Sequence, residues 1–333
     1  MATSSSMSIT AGLNLPILSE IISLEETMER IIFDCDPGHD DAIALVMAFA
    51  SEKLDIRAVT TVAGNQTLDK TSVNASRMLT ALSVSPLLAK GASKPMHRKL
   101  QTAPIVHGET GLDGPVLPPP SVPFSDKHAW DVMRDILLEE RTTILATGPL
   151  TNLGILLSTY PEVKDRIDRI VLMGGGLDHG NWTATAEFNI LVDPEAADIV
   201  FSSGIPIVMC GLDVTEKAMI YSDEIERLRE SGRIGKLVAE LLDFFSIYIY
   251  SLGFPGITLH DPVAAAYLVK PELFKGEDLF VGIETQGKAT LGMTYADKRI
   301  TPKREAANAK VIMDLDREGF IELLMEACLS YQV

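Results

Sequence analysis

The chain is short of cysteine, of basic residues and of long apolar runs, and each shortage removes a class of function. Cys35, Cys210 and Cys328 are the only three cysteines in 333 residues. They lie far apart with no C-x-x-C spacing, and Cys35 and Cys210 sit in apolar runs, so buried free thiols in a reducing compartment are expected. Lysine and arginine total 29 against 46 acidic residues, a net charge of −17. With no Lys/Arg stripe there is no footprint for a nucleic-acid polymer. No apolar run reaches the ~18 residues of a membrane span. Residues 1–28 are rich in Ser and Thr, carry Glu20, Glu25 and Glu26, and contain no basic residue. A secretory signal needs positive charge before its apolar core, and a transit peptide needs arginine. The segment is therefore expected to be a dispensable or locally folded leader on a soluble, cytoplasmic protein. There is also no fixed-period repeat, no G-x-G-x-x-G and no H-E-x-x-H.

What the chain does contain is a concentration of carboxylate. Ile31-Ile32-Phe33 leads into Asp34-Cys35-Asp36-Pro37-Gly38-His39-Asp40-Asp41, and the apolar run Ala42–Phe49 follows. Four aspartates within eight residues repel one another unless a positive charge lies among them, and oxygen donors favour a hard cation such as Ca²⁺ or Mg²⁺. The plainer reading ends a strand at Asp34 and places Asp40 and Asp41 at a helix N-terminus, where negative charge is favourable.

Short apolar strands without alternation recur between helical segments, the pattern of a parallel sheet covered on both faces. Strands are expected at Arg30–Asp34, Ile56–Val62, Pro86–Ala89, Thr143–Ala146, Arg169–Met173 and Pro206–Cys210. Helices are expected at Asp40–Ala50, Leu68–Leu82, Asp126–Leu138, Leu150–Leu157 and Pro194–Ser203. Val116–Pro123 reads as a surface loop and Arg227–Leu252 as helix-rich. Leu279–Glu284 and Ala289–Tyr295 read as a hairpin, Ala309–Asp314 as a strand and Arg317–Ala327 as a closing helix. The expected fold is a single large α/β domain over residues 29–333, with a mainly parallel, Rossmann-like sheet flanked by helices and a small hairpin and helical additions.

Ligands of such sheets bind at the carboxyl ends of the strands. Asp34 and Asp36, Gly64-Asn65, Thr147-Gly148, Gly174–Gly176 and Gly211-Leu212-Asp213 all fall there. Glu187 and Asn189, two apart, share one side of an extended chain and suit a polyhydroxy ligand, though a polar loop explains them equally well. Asp261 in His260-Asp261-Pro262 reads alone as a helix cap. His107 lies in a glycine-flanked loop. Phe244 and Tyr248 share a helical face, for which core packing is the default and a substrate-stacking wall the alternative.

Taken in order, Asp34–Asp41, Thr60–Asn65, His107–Gly111, Val171–Gly176, Ala186–Asn189 and His260–Pro262 closely resemble the motifs of the nucleoside hydrolase family, the inosine–uridine-preferring nucleoside N-ribohydrolases. The resemblance covers roughly residues 29 to 330. It implies hydrolysis of the N-glycosidic bond of a small nucleoside, releasing ribose and base. It implies a Ca²⁺ site in which Asp36, Asp41 and Asp261 supply carboxylates and Thr147 its backbone carbonyl, with Asp36 as general base toward a water on the metal. It places Asp40, Asn65, Glu187 and Asn189 on the ribose hydroxyls, Phe188 in the same motif, and Met173 and Asn181 along the sugar pocket. His260 would protonate the departing base, and Tyr248 would contact it. His107 and Leu112-Asp113-Gly114 resemble the pyrimidine-preferring branch, so uridine and cytidine are the expected substrates. The family often forms homodimers or tetramers. The rival readings are a haloacid-dehalogenase-type phosphatase, which expects Thr or Val where Gly38 stands, a non-catalytic calcium- and ribose-binding protein, and a purine-accepting hydrolase.

Overall fold

A computed structural model describes residues 28–299 and 305–332 of the chain. All but the last residue of the leader expected over residues 1–28 lies outside the described residues. The order begins with β1 (Glu29–Cys35), helix His39–Ala50, β2 (Leu54–Thr61), helix Leu68–Leu82 and β3 (Leu87–Lys90). Helix Ala129–Glu139 then leads to β4 (Thr142–Ala146), helix Thr151–Thr159 to β5 (Ile167–Met173), and helix Pro194–Phe201 to β6 (Ile207–Cys210). A small pair, β7 (Met219–Ile220) and β8 (Ile257–Thr258), brackets helices Ser222–Glu230 and Arg233–Ser251. Helix His260–Val269 is followed by β9 (Phe274–Leu279), β10 (Val281–Ile283), β11 (Thr294–Ala296), β12 (Ala309–Leu315) and helix Arg317–Leu329.

Eight strands form one sheet in the order β3-β2-β1-β4-β5-β6-β12-β9, parallel throughout except that β9 runs antiparallel to β12 on the edge. The apolar runs are continuous because each strand feeds two cores. Ile31, Phe33, Leu145, Val171 and Val208 face one core, while Ile32, Ile144, Ile170, Leu172 and Ile207 face the other. That is the two-residue period of a pleated strand inside a sheet buried on both sides. The expected fold holds, and all three cysteines are buried and free. Among the described residues no helix is long and apolar enough to cross a membrane.

The Arg227–Leu252 stretch is helix-rich as expected and divides into two helices at Gly232, whose φ of 104° suits glycine and stops Ser222–Glu230 from running on. Three local points differ from expectation. Strand β9 is not among the expected strands, because its Lys275, Glu277 and Asp278 are those of an exposed edge rather than an apolar run. The hairpin is present but shorter, pairing Val281–Ile283 with Thr294–Ala296, while Leu279 belongs to β9. Glu187 and Asn189 are not on an extended chain. Glu187 caps the short helix Phe188–Val192, and Asn189 lies within it.

Candidate active site

Helix His39–Ala50 is buried from His39 through Ala48, and helix His260–Val269 from Asp261 through Val269. Helices apolar on every side belong in a core, and their many alanines let the two pack side by side within one of the two cores. Their N-termini therefore meet. Asp40 and Asp41 come from the first turn of one, and Asp261 from the first turn of the other. Each of these three carboxylates has an oxygen within 4.8 Å of the other two, all buried. Two helix N-termini offset part of the negative charge through their backbone dipoles, but three buried carboxylates remain a set that can hold a metal ion.

Asp41 is the hub. Its Oδ1 accepts from the Asp36 N–H at 3.2 Å and the Thr147 hydroxyl at 2.7 Å. Its Oδ2 accepts from the Gly38 N–H and the Asn65 amide, each at 3.0 Å. The capping reading and the acidic-cluster reading are thus both correct for this residue. Asp36 is fully buried, with Oδ2 accepting from the Asn65 N–H at 2.6 Å and Oδ1 lacking any hydrogen-bond partner. A Cβ added to Gly64 would lie 2.2 Å from Asp36 Oδ2, and one added to Gly148 would lie 2.5 Å from Oδ1. The carboxylate is nested between two bare backbones that admit no side chain. Burial, and after it the charge of Asp41, pushes the Asp36 carboxyl well above the usual carboxylate range. Burial does the same to Asp261, with Asp40 and then Asp41 adding to it.

Asp34 does not join this cluster. Its Oδ1 accepts from the Thr60 hydroxyl at 2.6 Å and the Asn152 amide at 2.7 Å. Asn152 also bonds the Thr61 carbonyl and the Ala92 N–H, so Asp34 belongs to a clamp across the strand ends. Of four aspartates in the motif, three converge.

Above the cluster opens a cavity whose lining includes Asp40, Asn65, Thr147, Met173, Asn181, Glu187, Phe188, Asn189 and Asp261, together with His107, Phe245, Tyr248, Ile249, Phe254, Thr258 and His260. Asp36 and Asp41 lie behind this lining. The Asn189 amide donates to the Thr147 carbonyl at 2.7 Å and the Met173 carbonyl at 3.2 Å, leaving its own oxygen as the free acceptor. Glu187 accepts from the N–H groups of Gly175, Asn189 and Ile190, and burial pushes its carboxyl up to about 7. Asn181 Oδ1 accepts from the Phe188 N–H at 3.0 Å, pinning the loop to this wall.

His107 Nδ1 lies 3.3 Å from the His39 backbone N–H and 3.2 Å from His39 Nδ1, while His39 Nε2 donates to the Asp113 carbonyl at 2.8 Å. The rings of His39 and His107 stack at 5.5 Å, and His39 also stacks on Phe244 at 5.1 Å. Phe244 therefore packs behind the site, while Tyr248, one turn on, lines it. Burial pushes His107 well below the ordinary histidine value and His260 down to about 4. Four contributors carry no signal in the sequence, namely His39, Phe245, Thr215 and Thr258. The partner of His39 is 68 residues away, and those of the two threonines are set by His260 in space.

The model of the inosine-uridine preferring nucleoside hydrolase family matches residues 31–322. A pyrimidine-specific ribonucleoside hydrolase RihA of Photobacterium profundum is 54% identical over 90% of this chain and 99% of its own length. Its namesake in Citrobacter koseri is 53% identical over 90% and 98%. Among solved structures, the purine-preferring ribonucleoside hydrolase from Gardnerella vaginalis superposes with a TM-score of 0.84 at 30% identity, covering 91% of this chain and 99% of that one. The plant nucleoside hydrolase PpNRh1 gives the same TM-score and identity over 90% and 99%. With the family model matching residues 31–322 and relatives more than 50% identical over nine-tenths of the chain, the chain belongs to the inosine-uridine preferring nucleoside hydrolase family, enzymes that hydrolyse the N-glycosidic bonds of nucleosides.

Proposed function

We propose that the protein hydrolyses pyrimidine ribonucleosides, uridine and cytidine, to ribose and free base, with Asp36 as general base and a calcium ion in the acidic cluster. The observation that carries this reading is the Asp36 carboxylate, held by the Asn65 N–H through one oxygen while the other is buried without a partner. That orphaned oxygen, together with the buried trio Asp40, Asp41 and Asp261, fits a hard cation. Asp36, Asp41, Asp261 and the Thr147 carbonyl would hold it. When bound, calcium supplies positive charge that acidifies water and anchors sugar hydroxyls.

The chain's own groups account for the rest. Cleavage builds positive charge on the sugar and negative charge on the leaving base, as in glycoside hydrolysis generally. Asp40 and Glu187 present negative charge to the sugar, and with the free oxygens of Asn65 and Asn189 they receive its hydroxyls. Asp36 takes a proton from water as the water oxygen bonds to C1′ and the bond to the base breaks. His260 and His107 face the base. Because burial lowers both, they are neutral near pH 7 and assist by hydrogen bonding as negative charge develops. The base anion then takes a proton from solvent and Asp36 returns its own, so ribose and base leave neutral. Met173, Asn181 and Phe188 shape the sugar end, and Tyr248 walls the base. The preference for pyrimidines is supported by the names of the relatives that are more than 50% identical.

Ribose release from uridine, cytidine, inosine and adenosine by the purified full chain tests this reading. Uridine and cytidine are expected to exceed the purine nucleosides at least about tenfold. Comparable release from inosine removes the pyrimidine assignment, and no release from any of them with calcium present removes the hydrolase assignment. A second test concerns the nest around Asp36. Gly148→Ala places a methyl against Asp36 Oδ1, and displacing a reacting group by about 1 Å costs about 100-fold. Turnover is expected to fall by that order while circular dichroism stays native. Wild-type turnover in Gly148→Ala would remove the catalytic role of the nest.

A further inference from the structure

The small hairpin of β10 and β11 stands outside the eight-stranded sheet, and neither strand lines the cavity. The hairpin nonetheless reaches the loops that do. Met293, one residue before β11, bridges antiparallel to Ala186, the neighbour of Glu187. Thr185 Oγ1 donates to the Ala289 carbonyl at 3.1 Å. Gly292, with a φ of 76°, lies so close to Leu191 that a Cβ there would stand 2.8 Å from the Leu191 Cα. The segment between the two strands therefore covers the stretch that carries Glu187 and Asn189.

Thr294, the first residue of β11, makes the closest link. It is fully buried, and its hydroxyl donates to the Gly176 carbonyl at 2.8 Å and accepts from the Gly176 N–H at 2.9 Å. Gly176 is buried in the turn after β5, outside the strand ladder, where backbone N–H and C=O groups still need partners. One hydroxyl serves both, because it can donate and accept. The same side chain confines Gly175. A φ of 76° suits glycine, and a Cβ there would lie 2.7 Å from Thr294 Cγ2 and 2.6 Å from Met209 Cε.

Gly175 in turn donates its N–H to Glu187 Oε2 at 2.9 Å. The other N–H groups bonded to this carboxylate, those of Asn189 and Ile190, belong to the helix that Glu187 caps. Gly175 comes from a different strand end and fixes the carboxylate from outside. We propose that Thr294 is a positioning residue for the reaction, locking the Gly174–Gly176 turn so that Gly175 holds the Glu187 carboxylate in place at the cavity. Thr294 touches neither cavity nor substrate and acts through Gly175. The inference rests on the reading of Glu187 as a group that receives the sugar.

Thr294→Val keeps the volume and the methyl contact and removes only the hydroxyl. Misplacing a carboxylate that makes one substrate hydrogen bond is expected to cost about tenfold in kcat/KM for uridine. Thr294→Ser, which keeps the hydroxyl, should stay within about threefold of wild type. A double-mutant cycle separates positioning from general weakening. In Glu187→Ala, with no carboxylate to hold, Thr294→Val should cost less than about twofold. The same loss in both backgrounds overturns the proposal. Residue-resolved amide exchange reads the lock without turnover. The Gly175 N–H should exchange at least about tenfold faster in Thr294→Val and at the wild-type rate in Thr294→Ser. Unchanged exchange, or faster exchange with kcat/KM untouched, overturns the proposal as well. Ribose release by the wild type tests the hydrolase reading on its own. If release is absent, that reading fails, and the cycle is read as Kd for uridine by calorimetry, with the same outcomes deciding. A wild type that neither cleaves nor binds uridine removes both.

Discussion

Asp36→Asn is expected to lower kcat for uridine by about 10²–10⁴-fold, the usual worth of a general base, while KM changes by less than about tenfold. The substitution keeps an oxygen where the carboxylate stands and fits the same nest between Gly64 and Gly148. What it removes is the ability to take a proton, so the loss should fall on turnover and spare binding. The Asn65 N–H, now bonded to Oδ2 at 2.6 Å, can still hold the side-chain oxygen of the amide. Stopped assays of ribose release give both constants. Equal and modest losses in kcat and KM would show that Asp36 only shapes the cavity.

Calcium is expected to raise the melting temperature more strongly at pH 8 than at pH 5. Burial pushes Asp40 up to about 7, and Asp36 and Asp261 up as well, from ordinary values near 4. A carboxyl whose folded value lies above its unfolded one holds extra protons in the folded state. Its contribution to stability is complete below about pH 4 and is lost as pH rises through about 7. Without a cation, the ionised cluster above pH 7 is left with repulsion that the two helix N-termini only partly offset. A cation bound there replaces those protons and releases them to solution. At 100 times its Kd it adds about 2.7 kcal/mol of stability. Scanning calorimetry with chelator and with calcium across this pH range measures the effect. A calcium-induced shift that is absent, or that shrinks toward pH 8, would remove the metal from this cluster.

Much of the site was legible because its chemistry is local in sequence. Asp36, Asp40 and Asp41 lie within six residues, and a strand–turn–helix element delivers all three to one sheet edge. Glu187 and Asn189, two residues apart, both line the cavity, although a helix cap rather than an extended chain brings them there. The motif misleads at Asp34, which looks like a fourth member and instead clamps strand ends through Thr60 and Asn152. Nothing in the run of residues separates it from Asp36, because strand twist and the turn at Pro37-Gly38 decide which carboxylate joins the cluster. His39 shows the converse. Read alone it has no metal spacing and no role, yet its N–H and its ring both meet His107 Nδ1.

By itself, the sequence determined the doubly covered parallel sheet, the strand ends that carry polar groups, and the carboxylates poised at a helix start. These follow from hydrophobic period, turn residues and capping, which act over a few positions. Only the tertiary structure decided that the helix bearing Asp261 lies beside the helix bearing Asp40 and Asp41, that Gly64 and Gly148 close around Asp36, and that Thr215 and Thr258 bracket His260. Those are contacts between segments far apart in the chain, set by the packing of two apolar helices in one core and by a two-stranded ladder. Close packing of distant surfaces has no period along the chain from which it could be read.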